Sequence, residues 1–519
     1  MRPPHIHLCI VQPVGDVSPL GFLDQARFFR YNFRRLGAEV TIGKNRLRHD
    51  AVNYIFGAHL GFDAALRERH TCVFVNLEQL GAGGKPVATA YLELLATSAV
   101  VDYEASNVAA YSAQPAQPGR PVPIVSFAHA PYLAQPAGLA LERRPIDILF
   151  FGAVNERRRQ MIAQIEAAGR TVAVPRGLIF GPERDGLIAQ AKVVFNCHFY
   201  ETARFEQARV FHCLSMGTPV VSERAEATLP PAQFEDSVFW VPTADVGTFF
   251  SQQFGAPGFA DACRSKLASF AQHDVLDQYA QALSQGALHH TQRLARSGAA
   301  PWRPTRLHIG SGKDYKPGWF NVDILQSAQP DAVLDLAQPL AWPVKIQSSL
   351  VGPVELHPGS LDTIFANNVL EHVPDLPTLM GNCLMLLRTG GELQIEVPYE
   401  KANTAWQDPT HVRALNENSW IYYADWFWYL GWFEARFHVE QLGYLDGRLN
   451  ECGKDGAHYM RVKLVKVATT LVERTLARTM RADFGGLPDD LGPFNAALAP
   501  VKLEAAVVNV AVNAVVNAA

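Results

Sequence analysis

The sequence predicts an α/β protein with mainly parallel sheets, and three observations carry that prediction. From the N-terminus to about residue 290, short apolar runs alternate with segments whose apolar residues recur at helical spacing, the pattern of strand–helix–strand units. At Leu307–Asp323, LHIGSGKDYKPGWFNVD, a short apolar strand is followed at once by a glycine turn, a second strand and an acid. Between these regions, Gln285–Pro304, QGALHHTQRLARSGAAPWRP, lacks sustained apolar periodicity and reads as a connection, with His289 and His290 as solvated linker residues. A length of 519 residues leaves room for two or three domains, and 48% hydrophobic with 18% charged residues is the balance of a soluble globular chain.

In order along the chain, Ile6–Val11 reads as the first strand. Phe22, Ala26, Phe29, Phe33 and Leu36 share one helical face, and Gly37 stops that helix. Strands are expected at Glu39–Ile42, Val52–Phe56, Cys72–Asn76, Ala99–Tyr103 and Pro123–Phe127, with a proline-rich turn at Ala113–Pro123. A second α/β unit begins at Pro145. There IDILFFG runs as a strand into Gly152, Asn155–Arg159 opens a helix ending at Gly169, and Thr171–Val174 is the next strand. A helix near Arg184–Ala191, a strand at Lys192–Asn196, a helix at Phe205–Met216 and a strand at Val220–Val221 follow, the last ending in Ser222 and Glu223. Two consecutive α/β units of similar size imply paired nucleotide-fold halves with a cleft between them.

The segments ILFFGAVNERRRQMI and AKVVFNCHFYETARFEQARVFHCLSMGTPVVSE resemble the C-terminal half of GT-B glycosyltransferases, especially bacterial ones of the group-1 kind. The resemblance implies a pair of Rossmann-type domains, residues 1–140 and 141–285, and a nucleotide-sugar donor. It implies that Gly152 with Arg157 or Arg158 holds the donor diphosphate, and that Glu206 contacts the donor's sugar or ribose, with Arg209, Ser222 and Glu223 close by. Many such enzymes carry two spaced glutamates before the glycine, and here Arg204 and His212 occupy those positions. Arginines at a helix N-terminus oppose the helix dipole but suit a bound diphosphate; the alternative is a solvated helix face. His212 reads as a core histidine. No D-x-D pair suited to a metal-bound sugar nucleotide is present, and no metal is expected.

In the second half, the interval between Gly312 and Asp323 is too short for the dinucleotide arrangement, which places its acid about 20 residues beyond the glycines. Pro317-Gly318 interrupts it, and the third glycine is absent. The expected ligand is a nucleoside without a diphosphate, and S-adenosylmethionine fits. Further strands are expected at Ala332–Leu336, Leu361–Ala366, Glu392–Val397, Phe437–Leu442 and Tyr459–Val467. A helix is expected to start at VLEHV, and another at Leu376–Leu387. Residues 305–468 resemble class I S-adenosylmethionine-dependent methyltransferases through LHIGSGKDYKPGWFNVDI, DAVLDLAQPL, SLDTIFANNVLEHV, LMLLRTGGELQIEVP and DPTHVRALNENSW. The resemblance implies that Gly310, Ser311 and Gly312 approach the methionine part of the cofactor. It places the ribose at Asp323 beside Ile324, the adenine at Asp335 and Leu336, and Asn367 and Asn368 over the sulfonium side. His308 departs from the apolar or small residue usual in the first strand.

For a hydroxyl acceptor a base must remove a proton. His411, in the Asp408–His411 loop motif, and His372 are the candidates; Glu371 is expected to steady the following helix. Trp420–Phe433, WIYYADWFWYLGWF, is expected either to pack an inserted helix on the sheet or to offer a sugar-stacking wall. The tail, 469–519, carries no assigned role.

A net charge of -4 argues against a nucleic-acid partner. The seven scattered cysteines lack metal-ligand spacing and suggest reduced thiols in a cytoplasmic protein. No signal peptide or membrane-spanning run is visible. The expected function is a bifunctional glycan-building transferase, one half transferring a sugar and the other O-methylating a glycan or related acceptor. The alternative is a methyltransferase whose first half only recognises a glycan or nucleotide.

Overall fold

In a computed structural model, which describes residues 4–112, 121–134, 139–200, 202, 204–296 and 300–481, the apolar runs of the first part become two sheets. The first contains β1 (His5–Ile10), β2 (Val40–Lys44), β3 (Ala51–Phe56), β4 (Thr71–Asn76) and β5 (Ala99–Asp102). The second contains β6 (Ile146–Leu149), β7 (Val172–Ala173), β8 (Ala191–Asn196), β9 (Val220–Arg224) and β10 (Phe239–Pro242). Both sheets are wholly parallel, in the orders β2-β1-β3-β4-β5 and β10-β9-β8-β6-β7. Renumbered within its own half, the second order repeats the first. Each sheet therefore reverses direction next to its first strand, and ligands of such sheets bind beyond the strands' carboxyl ends at that point.

The helix Phe22–Arg35 buries Ala26, Phe28, Phe29, Asn32 and Phe33 and ends before Gly37, whose φ of 81° suits only a residue without Cβ. Phe28, Phe127, Phe211 and Tyr279 join the two halves in one core, with Phe127 and Phe211 stacked at 4.7 Å between centroids. Pro123–Phe127 is no strand. Only a bridge between Asp102 and Ile124 forms there, because the prolines at 121 and 123 remove ladder donors.

The expected connection at 286–304 needs correcting. Helix Leu276–Arg296 runs through most of it and docks on the first sheet. A Cβ on Gly286 would lie 2.5 Å from the Tyr54 hydroxyl, so glycine allows the close approach. His290 is not a solvated linker residue: its Nδ1 lies 2.7 Å from Thr71 Oγ1. Arg293 donates to Thr71 Oγ1 and to the Arg69 and His49 carbonyls. This helix end is held by a glycine contact and polar bonds, which apolar periodicity does not register.

The chain divides into two compact units, Met1–Gly298 and Ala299–Ala519. The second unit contains β11 (Arg306–Ile309), β12 (Phe320–Asp323), β13 (Ala332–Val333), β14 (Val344–Ser348), β15 (Gly352–Leu356), β16 (Leu361–Asn367), β17 (Leu387–Pro398), β18 (Ala435–Leu445), β19 (Glu451–Cys452) and β20 (Tyr459–Ala468). Its main sheet has the order β13-β12-β11-β16-β17-β20-β18-β19. Pairing is parallel from β13 to β17 and antiparallel beyond. The order reverses between β11 and β16, which puts the crevice at the ends of those strands.

Four expectations change here. β13 is two residues long, because Asp335 folds into its own turn, accepting from the Ala337 amide and from Gln338 Nε2. VLEHV starts no α-helix. Leu370–His372 makes one 3₁₀ turn, Pro374 follows, and helix Leu376–Leu386 begins afresh with Asp375 as its N-cap. β14 and β15 form an antiparallel hairpin that the sequence reading missed. The aromatic run forms 3₁₀ turns at Glu417–Trp420 and Phe427–Leu430 rather than an inserted helix. The described part of the tail includes helix Leu471–Arg481; residues 482–519 and most of Ala113–Pro123 lie outside the described residues.

Candidate functional site

At the end of β11, Gly310 has φ 61° and a Cβ there would lie 2.3 Å from Val369 Cγ2. Glycine is thus required both by backbone and by the close pass of the chain leaving β16. No helix fills the interval to β12. A short loop does, and Asn321 holds it: Oδ1 accepts from the Lys316 amide at 2.9 Å, and Nδ2 donates to the Lys316 and Trp319 carbonyls. The unusual His308 is buried and places Nδ1 3.1 Å from the same Oδ1. His308 belongs to the loop's scaffold.

Asp323 ends β12 with its carboxylate fixed from two sides. The Gly312 amide donates to Oδ2 and the Leu325 amide to Oδ1, each at 2.8 Å. Each oxygen keeps a lone pair for a further donor. Beside it, Ile324 and Leu325 are 65% and 59% exposed, two consecutive apolar residues open to solvent. Ser311 is fully buried and its Oγ has no hydrogen-bond partner among the described residues. Asn367 ends β16, and Asn368 follows in the left-handed region at φ 51°. Leu336 is buried, and Asp335 is exposed with its carboxylate engaged in its turn.

Beyond β16 the structure brings Glu371, His372 and His411 together, with potential ligand atoms all within 4.8 Å of one another. Glu371 is 2% exposed, and neither carboxylate oxygen has a hydrogen-bond partner among the described residues. Burial pushes this carboxyl up to about 7. The His372 and His411 rings meet edge-on at 4.6 Å. The Val412 amide donates to the Glu371 carbonyl at 2.9 Å, tying the Asp408–His411 loop to this turn. Sequence reading named both histidines but gave Glu371 only a structural role; an unpartnered buried carboxylate leaves no sequence pattern.

In the first unit a cavity of about 500 Å³ is lined by both halves. Gly152, Arg158, Glu206 and Arg209 line it from the second half. Gly152 has φ 118°, and a Cβ there would lie 2.8 Å from an Arg209 guanidinium nitrogen. Glu206 pairs with Arg158 and, at 2.8 Å, with Arg209. Burial pushes the Glu206 carboxyl up, but the Arg209 and Arg158 charges outweigh it and hold it below the usual range. Arg157, Ser222 and Glu223 gather elsewhere. Glu223 is fully buried, pairs with Arg157 and accepts from the Thr243 hydroxyl and the His198 amide. Ser222 Oγ accepts from Asn196 Nδ2 and donates to the Glu223 carbonyl.

From the first half come Asp24, Glu78, Gln79 and Lys85, none of which sequence reading picked out. Glu78 pairs with Lys85 at 2.9 Å, and Asp24 with Arg184 of the second half. His212 is buried, as expected, but its Nε2 faces Asp185 Oδ1 at 2.8 Å on the cavity wall. Asp24 lay in plain view on the polar side of the Phe22–Arg35 helix; only the fold shows what that side faces.

The sheet orders define a mixed α/β protein with parallel, Rossmann-like sheets. Solved structures similar to it include AviGT4, a glycosyltransferase involved in avilamycin A biosynthesis, at 13% identity over 55% of this chain and 98% of that one, with a TM-score of 0.37. A SAM-dependent methyltransferase from Archaeoglobus fulgidus is similar at 14% identity over 34% of this chain and 91% of its own, with a TM-score of 0.22. One from Mesorhizobium loti matches at 13% identity over 34% and 95%, with a TM-score of 0.21. No family profile matches the sequence, and no curated protein matches it. Among the described residues no helix is long and apolar enough to cross a membrane.

Proposed function

We propose that the second unit binds S-adenosylmethionine at the ends of β11, β12 and β16 and methylates a hydroxyl of a sugar or glycan, and that the first unit transfers a sugar from a nucleotide-sugar donor. The residues present fit the cofactor. A fixed carboxylate with two free lone pairs suits ribose hydroxyls, and the exposed apolar side chains of Ile324 and Leu325 suit a flat base. When bound, the cofactor supplies an electrophilic methyl group. Asp323 holds the ribose, Ile324, Asp335 and Leu336 border the adenine, and Gly310, Ser311 and Gly312 bring bare backbone to the amino-acid end. Asn367 and Asn368 close the opposite side. The acceptor hydroxyl loses its proton at the cluster of His411, His372 and Glu371. Tyr422, Trp426 and Tyr429 are exposed and in edge contact, with centroids 5.3 Å and 5.6 Å from Tyr422, and supply flat faces for a sugar ring.

The fixed carboxylate of Asp323 carries the reading. Calorimetric titration of the full chain with S-adenosylmethionine is expected to show binding, weakened roughly 100-fold, or about 3 kcal/mol, in Asp323→Ala. Equal affinity in that variant would refute the assignment.

For the first unit, Gly152, Arg158, Arg209 and Glu206 are the proposed donor contacts, with Arg157, Ser222 and Glu223 supporting them from behind. One observation favours the recognition alternative: Glu206 already pairs with both Arg158 and Arg209. Nucleotide-sugar binding by the full chain without turnover supports that alternative; turnover supports transfer.

A further inference from the structure

We infer that Glu371, His372 and His411 form a binding site for one divalent transition-metal ion of the zinc kind. The sequence pointed to no metal. The geometry does, through the state in which each side chain is held.

His411 Nδ1 lies 2.9 Å from the Ala405 carbonyl, an acceptor only, so this nitrogen carries a proton and in the neutral ring Nε2 presents a lone pair. His372 Nδ1 lies 3.0 Å from Thr410 Oγ1. That hydroxyl spends its own proton on Asp408 Oδ1 at 2.6 Å, so it accepts from His372 and again leaves Nε2 with a lone pair. Both rings are thus oriented through Nδ1 by an outer partner, the arrangement that fixes metal-ligating histidines. The third member is Glu371, whose side chain is 3% exposed and whose two oxygens have no hydrogen-bond partner among the described residues. Its Oε1 stands 4.0 Å from His411 Nε2. A lone pair directed at a buried carboxylate oxygen is unfavourable, and a cation held by both reverses the sign.

Metal–nitrogen and metal–oxygen distances of about 2.1 Å put the ligand atoms of a tetrahedral ion about 3.4 Å apart. The Glu371–His411 gap of 4.0 Å must close by roughly 0.6 Å, and the widest separation, under 4.8 Å, by up to about 1.4 Å, within reach of side-chain rotation. Two imidazoles and one carboxylate favour zinc, cobalt, iron or manganese over magnesium and calcium, which prefer oxygen alone. Three protein ligands leave a position open, the mark of a catalytic rather than a structural site. Val369, which packs against Gly310, immediately precedes the turn bearing Glu371 and His372. An ion there would adjoin the proposed cofactor crevice and lower the pKa of an acceptor hydroxyl bound in its open position. The site itself stands whether or not that crevice takes S-adenosylmethionine.

The untagged full chain, stripped with chelator, is dialysed against Zn²⁺ and separately Co²⁺, and metal content and the visible Co²⁺ spectrum are read. One ion per chain is expected. Glu371→Gln and His411→Asn should each weaken uptake by about 100-fold or more, and Thr410→Val by roughly 10–100-fold through the lost orientation of His372. His357→Gln, outside the cluster, should change nothing. Circular dichroism checks that each variant folds, and if Glu371→Gln does not, His372→Asn carries the test. No uptake by the parent chain, or equal uptake by the ligand variants, overturns the proposal. S-adenosylmethionine binding by the stripped chain, measured in parallel, keeps the two readings apart.

Discussion

The cavity of the first unit and the crevice of the second treat charge in opposite ways. Around the cavity charges are paired: Glu206 with Arg158 and Arg209, Glu78 with Lys85, Asp24 with Arg184, and behind it Glu223 with Arg157. In the crevice, the Asp323 carboxylate is held by backbone amides, and the Glu371 carboxylate oxygens have no hydrogen-bond partner among the described residues. A ligand entering the first site must displace or join an existing ion pair. The second offers acceptors in place, which suit a ligand bringing hydroxyls or positive charge. The difference teaches that a charged lining is not by itself a ready site. What matters is whether its lone pairs and protons are already used.

Removing one partner of a closed pair should therefore cost more than any change at the crevice's glycine turn. Arg158 is 2% exposed, so Glu206→Ala strands a buried cation. Loss of stability of the first unit by about 3–5 kcal/mol is expected in denaturant unfolding. Glu206→Gln, which keeps an acceptor, should recover part of it. A loss below about 1 kcal/mol would mean that Arg158 finds water or another partner, and the contrast between the sites would fail. At the crevice, Gly310→Ala sets a methyl group against Val369 Cγ2 and forces an L-residue to φ 61°. About 2–3 kcal/mol should be lost from the second unit. Adding Val369→Ala should restore the steric part, and Gly443→Ala, where no atom lies within 4 Å, serves as the control.

How much of this was readable beforehand differs between the regions for physical reasons. The strands and the glycine turn were legible because burial on both faces demands apolar runs, and because Gly310 and Asp323 sit beside a strand end in the sequence itself. The Leu276–Arg296 helix was lost at Gly286 and Arg293, where docking rests on a missing side chain and three hydrogen bonds instead of an apolar stripe. Asp24, Glu78 and Lys85 escaped notice because they reach the cavity from the other half of the unit, a proximity no local pattern encodes. His411 and His372 were found by motif, but the free lone pairs depend on Ala405 and Thr410, whose backbone and hydroxyl positions exist only in the fold.

The smallest effect is a pH dependence within the first unit. His7, on β1, is 6% exposed, with Nε2 3.0 Å from the Arg46 carbonyl and Nδ1 2.8 Å from Thr41 Oγ1. Burial lowers its pKa to about 4. Folded, the ring stays neutral well below the pH at which the unfolded chain binds a proton, so its contribution is intact above about pH 6.5 and is lost as pH falls towards 4. Asp102 acts in the opposite sense. Burial raises its carboxyl to about 6, so between about pH 4 and 6 the folded state holds the extra proton and gains stability as pH falls. Whole-protein acid titration mixes the two. Comparison of the parent with His7→Gln isolates the first: from pH 7 to 5.5 the parent should lose about 1 kcal/mol relative to the variant in matched denaturant unfolding of the first unit. A constant difference across that range would mean that the ring takes up its proton without leaving the fold, and that the first unit is less tightly closed around its charges than its ion pairs imply.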